Sequence, residues 1–192
     1  MPQPTALILI ADGSEEIEFV TCYDVLVRAG VDVKSVGVNL KNGEFAVCSR
    51  NTKIIPDVPS ISSISSTPNV LILPGGLPGS QTFCDTPAVL DLIRQCNAAG
   101  SYTAFICAAT IALVAAYKRP LEGVVTSHPS VKEKVVEAGW EYGEERVMVS
   151  GKVITSRGPG TAMLFALTVV EVLLGKEKTD EVARPMMLAQ TI

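Results

Sequence analysis

The sequence predicts an α/β protein built on a mostly parallel sheet, and three observations carry that prediction. The chain opens in the order strand, turn, helix, strand, the start of a parallel sheet. Its first apolar run, Thr5 to Ala11, has strand length and suits a central strand buried on both faces. Further on, an apolar run of strand type beginning at Tyr102 turns, at Cys107, into an Ala-rich run of helix type.

The elements follow in order. Asp12-Gly13-Ser14 makes the first turn, and Ser14 is a candidate N-cap for a helix from about Glu15 to Ala29, stopped by Gly30. Ile17, Val20, Val25, Leu26 and Ala29 share much of one face of that helix, the expected core face. Val31 to Val38 reads as the second strand. Asn42-Gly43 is a hairpin-type turn signal. The Ser- and Pro-rich stretch from Pro56 to Pro68 is irregular, with one helical turn around Ile61 to Ile64. Val70 to Leu73 is a very apolar strand running into a Pro74–Gly79 turn. A helix with Pro87 at its first position, capped by Thr86 or Asp85, reaches about Ala98. The helix after Cys107 stops near Arg119-Pro120, and a brief strand from Val124 ends at His128-Pro129. Ser130 is a candidate cap for a helix to Glu137 or Ala138. Arg146 to Val149 and Lys152 to Thr155 form an antiparallel hairpin around Ser150-Gly151. A polar Gly-rich loop, Ser156 to Thr161, leads into a long apolar helix to Leu174; a last helix and an apolar tail from Pro185 close the chain.

Composition narrows the class. The 192 residues suit one domain, 1–192, and 47% hydrophobic content argues for a substantial core. A net charge of −4 supplies no electrostatic reason for a nucleic-acid or acidic-membrane partner. Five scattered cysteines without CxxC spacing suit free thiols in a reducing compartment. With one histidine and dispersed thiols, no metal site is expected. The short apolar run after Met1-Pro2-Gln3-Pro4 lacks a basic region and reads as a strand rather than a signal peptide. The expected location is cytoplasmic, and a nuclear pool is compatible with it.

Cys107 is the centre of the chemical reading. A thiol at a strand-to-helix turn lies at the carboxyl edge of the sheet, where open α/β sheets place their ligands. The facing helix N-terminus is expected to favour a thiolate. Otherwise a free Cys is a small buried hydrophobe. The strand ends before Asp12, Pro74 and Cys107 converge on the same edge. They bring Glu16, the backbone N–H groups of Gly75 and Gly76, and the only histidine, His128. Taken singly, a Glu at a helix start and a lone His are both ordinary structural residues.

Five motifs carry a resemblance over almost the whole chain. They are Ala11-Asp12-Gly13-Ser14-Glu15-Glu16-Ile17-Glu18, Leu73-Pro74-Gly75-Gly76, Ile106-Cys107-Ala108, His128-Pro129 and Thr155 to Thr161. In order and spacing the chain resembles the PfpI/ThiJ superfamily, and more narrowly its DJ-one branch of Parkinsonism-associated deglycases. The resemblance implies a flavodoxin-like doubly wound sandwich and a homodimer. It also implies a readily oxidised cysteine and glutathione-independent glyoxalase and deglycase activities, with no metal or organic cofactor. By that likeness Cys107 is the nucleophile and Glu16 its carboxyl partner. Gly75, Gly76 and Ala108 bind the oxyanion or substrate, His128 is the nearby imidazole, and Arg28 and Arg50 lie near the site rim or dimer. The family usually has Gly where Ala109 stands, and the extra methyl is expected to narrow the elbow.

The implied substrate is a small 2-oxoaldehyde. The main rival is a non-enzymatic oxidation sensor or redox chaperone using the same cysteine. A cysteine peptidase has only His128 and no evident orienting acid. A class I glutamine amidotransferase would need Glu where Ser130 stands. A flavodoxin-type carrier would have to bind phosphate against the carboxylates of Glu15 and Glu16.

Overall fold

A computed structural model describes residues 3–117 and 120–189. Its centre is a six-stranded sheet. The first strand, β1 (Thr5–Ile10), pairs in parallel with β2 (Asp32–Gly37) across the intervening helix α1 (Glu16–Arg28). An antiparallel pair, β3 (Ala46–Val47) and β4 (Lys53–Ile54), follows. Then come β5 (Val70–Leu73), α2 (Leu77–Asp85), α3 (Pro87–Ala98) and β6 (Tyr102–Ile106). One 3-10 turn, Cys107–Ala109, leads from β6 into α4 (Thr110–Ala116). A short parallel pair, β7 (Val124–Val125) and β8 (Glu141–Tyr142), brackets α5 (Lys132–Glu137). The chain ends with the hairpin β9 (Val147–Ser150) and β10 (Val153–Ser156), then α6 (Ala162–Leu174) and α7 (Lys176–Ala183).

The strand order is β2-β1-β5-β6-β10-β9, parallel throughout except for β9 against β10. This is the flavodoxin-like α/β architecture. The alternation of side chains along each strand divides the core into two layers. Ile8, Ile10, Ile72, Ala104 and Ile106 face Phe19, Leu26, Phe165 and Val169 from α1 and α6. Leu9, Leu71, Leu73 and Phe105 face Phe83, Val89, Ile93 and Leu113 from α2, α3 and α4. Both faces are covered, so the inner strands β1 and β5 are apolar at nearly every position, whereas the edge strand β2 carries Asp32 and Lys34 outward.

Several local expectations change in the structure. The core face of α1 is Phe19, Cys22, Val25 and Leu26, whereas Ile17 and Val20 are half exposed. Ser14 does not cap α1. Its hydroxyl accepts the Ala11 N–H at 3.0 Å, and the Glu15 carboxylate caps the helix instead by accepting the Glu18 N–H at 2.9 Å. The reversal between β3 and β4 falls at residues 48–52, with Asn51 at φ 71°, rather than at Asn42-Gly43. The Asn42 side chain instead accepts the N–H groups of Glu44 and Phe45. The segment after β5 is not only a turn, because α2 begins at Leu77. Its glycine, Gly79, marks a close approach: a Cβ there would lie 2.7 Å from the Ser14 hydroxyl. Ser130 does not cap α5; a 3-10 turn, Pro129–Val131, precedes it, and the His128 ring caps that turn by accepting the Ser130 N–H. Helix α4 ends at Ala116. Arg119 of the expected stop signal and the last residues of the tail lie outside the described residues.

The layer between α6 and the sheet supports the Cys107 turn, because Phe165, Ile106, Cys107 and Ala108 belong to one buried cluster. Phe165→Ala is expected to cost about 3–5 kcal/mol of unfolding free energy, the usual loss for emptying a fully buried aromatic site. Urea denaturation of the two proteins measures it.

Candidate active site

Cys107 follows directly on β6, and the chain turns there so sharply that its φ is +64°. A non-glycine residue in that region carries backbone strain of roughly 1–3 kcal/mol. The turn presents the sulfur at the carboxyl edge of the sheet. The residue is 9% exposed. Ala109 sits in ordinary helical backbone, φ −63° and ψ −16°, so its methyl group adds no strain to the turn.

The carboxyl group beside the sulfur is Glu18, not Glu16. Glu18 is fully buried and hydrogen-bonded to the Cys107 side chain. Its Oε2 accepts the Gly75 N–H at 2.6 Å. Its Oε1 has no hydrogen-bond partner among the described residues. Glu16 turns the other way: its two oxygens accept the Ser49 hydroxyl and the Arg50 N–H, each at 2.8 Å. The reason is helical period. Residues two apart on a helix point about 200° away from each other. Glu18 shares its face with Cys22 and Val25, at i+4 and i+7, which are core residues. A charged residue at a core position of an amphipathic helix was the signal in the sequence.

The remaining residues sort by what their atoms touch. Gly75 spends its N–H on Glu18, so it orients the acid rather than an oxyanion. It is also the point of closest approach: a Cβ there would lie 2.5 Å from the Cys107 Cβ and 2.6 Å from Glu18 Oε2. The N–H groups of Gly76 and Ala108 both point at the Cys107 sulfur. Gly76 holds φ at +83°, and a Cβ on it would lie 2.1 Å from the Gly13 carbonyl oxygen. The His128 N–H donates to the Cys107 carbonyl at 3.1 Å, placing the two residues side by side. The imidazole hydrogen bonds run elsewhere. Nδ1 accepts the Ser130 N–H at 3.2 Å and pairs with the Ser130 hydroxyl at 2.8 Å. A backbone N–H can only donate, so the neutral ring carries its proton on Nε2.

Arg28 is the last residue of α1, ten residues beyond Glu18 and thus about 15 Å along the helix. It pairs with Asp24 at 2.7 Å and does not line the site. Arg50 rides on the β3–β4 turn that Glu16 clamps.

The electrostatics differ from a helix-activated thiolate. Burial pushes the Cys107 thiol up to about 12, and the Glu18 charge adds to it; the Gly76 and Ala108 N–H groups only partly oppose this. Helix α4 is short and starts beyond a 3-10 turn, so its dipole is a small effect here. Burial likewise raises Glu18 to about 7, and the Glu15 charge reinforces it against the Gly75 N–H. The resting thiol therefore loses its proton most readily to its neighbour, the Glu18 carboxylate. For Glu16 burial acts upward. Hydrogen bonds from its own backbone, Ser49, Arg50 and Thr52 outweigh it and hold the group below its ordinary value. Among the described residues no group of three His, Cys, Asp or Glu side chains could hold a metal ion, and no helix is long and apolar enough to cross a membrane.

A cysteine on a strained strand-to-helix turn, paired with a buried carboxylic acid at the carboxyl edge of a flavodoxin-like sheet, defines a class of cysteine-centred α/β proteins. Within that class the chain belongs to the DJ-1/PfpI family, whose model matches residues 4–172. It is 42% identical to Protein dj-1beta of Drosophila melanogaster over 190 residues, covering 96% of this chain and 97% of the relative. It is 37% identical to the glutathione-independent glyoxalase DJR-1.2 of Caenorhabditis elegans, covering 98% of both. The crystal structure of Drosophila melanogaster DJ-1beta superposes with a TM-score of 0.91 at 40% identity, covering 97% of this chain and 99% of that one.

Glu18 makes stability depend on pH. Its pKa rises from 4.5 to about 7 on folding, so between those values the native state holds more protons than the unfolded chain. Stability then falls as pH rises through that window, by a total of about 3 kcal/mol. Glu18→Gln is expected to remove most of that slope, which thermal unfolding at pH 5 and pH 8 checks. Gly75→Ala is expected to destabilise the protein and to slow alkylation of Cys107 by iodoacetamide, because the methyl group must displace the sulfur or the acid.

Proposed function

We propose that this protein is a cysteine-dependent, glutathione-independent glyoxalase that converts methylglyoxal to lactate and glyoxal to glycolate. The observation that carries the reading is the direct pairing of Cys107 with Glu18 beneath the Gly76 and Ala108 N–H groups. The relative named as a glutathione-independent glyoxalase supports the substrate class.

The chemistry follows from the atoms in place. As the Cys107 sulfur bonds to the aldehyde carbon, its proton passes to the Glu18 carboxylate. The aldehyde oxygen becomes an oxyanion, held by the Gly76 and Ala108 N–H groups, and takes the proton from Glu18 to give a hemithioacetal. Glu18, again a carboxylate, removes the proton from C1 to form an enediol and returns it to C2. The C1 hydroxyl proton moves to the C2 oxygen, leaving a thioester. Water releases lactate and restores the thiol. His128 offers its Nε2–H as a donor beside these oxygens. An aminocarbinol or hemithioacetal on a protein amine or thiol reverts to the free amine or thiol and the aldehyde, and consuming that aldehyde by the same route drives deglycation.

The sulfur environment also favours a second use. Two N–H donors and a protonated Glu18 suit the oxygens of a sulfinate, so oxidation of Cys107 yields a stabilised product and an oxidation sensor.

Homodimerisation belongs to the same proposal. Ile17, Val20 and Val27 leave half of α1's outward face apolar and exposed, and Ile55 beside it is 77% exposed. Val20, Val27 and Ile55 border a groove of about 420 Å³ floored by Phe19, Tyr23 and Ile54. A second copy of this chain is the occupant we assign, and Val20→Asp is expected to yield a monomer in analytical ultracentrifugation.

Turnover of methylglyoxal is expected to vanish in Cys107→Ser and to drop at least about 100-fold in Glu18→Gln, while Glu16→Gln retains most of it. Because the base form of Glu18 is required, kcat/KM is expected to rise with pH through about 7. Lactate production by wild type and the three variants from pH 5.5 to 8.5 checks both statements. Full turnover by Cys107→Ser overturns the assignment. A gain of two oxygens on Cys107 under mild peroxide with negligible turnover favours the sensor.

A further inference from the structure

The Glu15 carboxylate has a place that helix capping alone does not explain. It is 7% exposed, fixed in the first turn of α1 by its hydrogen bond to the Glu18 N–H at 2.9 Å. A carboxylate at a helix N-terminus sets its negative charge against the unpaired N–H groups there. The conventional capping residue, Ser14, stands next to it but is occupied with Ala11. The chain thus keeps a charged cap where a neutral hydroxyl was at hand. That charge lies against the amide of Glu18, the buried acid beside the sulfur.

Around Glu18 that charge is opposed only by neutral dipoles, the Gly75 N–H and the Cys107 thiol. From its own helix come Glu15 and the thiol of Cys22. From the β5–α2 loop comes the neutral Gly75 N–H, and from the turn after β6 comes the Cys107 thiol. No cation is among these groups. Glu16, the other carboxylate of the turn, faces Ser49 and Arg50. Glu18 Oε1 is fully buried, and no donor among the described residues is directed at it, so an ionised Glu18 would hold a bare anionic oxygen there. A second negative charge in the same turn makes that state worse still.

We propose that Glu15 is a positioning residue that keeps a proton on Glu18 at neutral pH, acting by charge through the first turn of α1. This role rests on the reading of Glu18 as the proton carrier of the site. It places the acid–base transition of that carrier under the control of a residue that touches neither sulfur nor substrate. Glu15 thereby sets the pH at which the site passes from an acid poised to donate to a base poised to accept.

The test separates charge from capping. Gln and Asn at position 15 keep a side-chain oxygen for the Glu18 N–H and remove the charge, while Asp keeps both. The proteins are labelled with glutamate carrying carbon-13 at the side-chain carboxyl. Glu18 is then titrated by NMR, its signal assigned by its loss in Glu18→Gln. The expected result is a midpoint lower by about half a pH unit or more, roughly a threefold change in ionisation constant, in Glu15→Gln and Glu15→Asn. Glu15→Asp is expected to stay near wild type. A midpoint unchanged or raised in whichever of the two neutral variants folds overturns the proposal. So does a fall of equal size in Glu15→Asp, which would assign the effect to geometry. The titration needs no substrate, so a protein that turns over no methylglyoxal but shows the shift refutes the glyoxalase reading and leaves this one standing.

Discussion

The contact between Glu18 and Cys107 is the constraint around which the site is built, and it exists because Gly75 has no side chain. Three segments meet there: the first turn of α1, the end of β5, and the turn after β6. A methyl group on Gly75 would occupy the space in which sulfur and carboxyl oxygen lie. The same glycine turns its N–H onto Glu18 and fixes the acid's orientation. One residue thus clears the space and supplies the hydrogen bond that aims the partner.

This arrangement carries local costs. Cys107 sits at positive φ, and among the described residues the buried Glu18 has no cation beside it and its Oε1 no partner. The rest of the fold holds these features in place. The sheet is covered on both faces, with Phe165 and Ile106 behind the turn and Phe105 and Leu113 on the opposite layer. A buried hydroxyl ladder ties the turn to the neighbouring strands. The Thr110 hydroxyl donates to the Thr126 carbonyl, and the Thr126 N–H donates to the Thr155 hydroxyl. The loop bearing His128 is bounded by a surface ion cluster in which Glu144 pairs with both Lys132 and Arg157. The charges in that cluster are largely exposed, so its role is to fix geometry more than to add stability.

The electrostatic character of the site follows from burial rather than from the helix dipole. A thiol driven upward and an acid driven upward, side by side, share a proton economically, since moving it between them separates little net charge. Under the proposed mechanism, reactivity at this cysteine comes with proton transfer to its neighbour during attack rather than from a standing thiolate. That distinguishes it from thiols activated by an adjacent cation.

The sequence alone determined the architecture, because its signals are local and periodic. The apolar β1 and β5, the helix-to-strand alternation, the β9–β10 hairpin and the change of period at Cys107 were all legible. So was the convergence of Cys107, Gly75, Gly76 and His128 on one edge, whereas Glu16, read as part of it, turns away toward Ser49 and Arg50. The helix α2 was not, because Gly75, Gly76, Pro78 and Gly79 read as a turn when their reason, close contact with Ser14 and Cys107, lies outside the segment. The choice of Glu18 over Glu16 was decided only by tertiary structure. Both are acidic residues in the first turn of α1, and the helix phase relative to the sheet selects which one meets the sulfur. The same phase turns Ile17 and Val20 outward. It also leaves the thiol's ionisation to be set by burial, a quantity that exists only once the layers have closed over it.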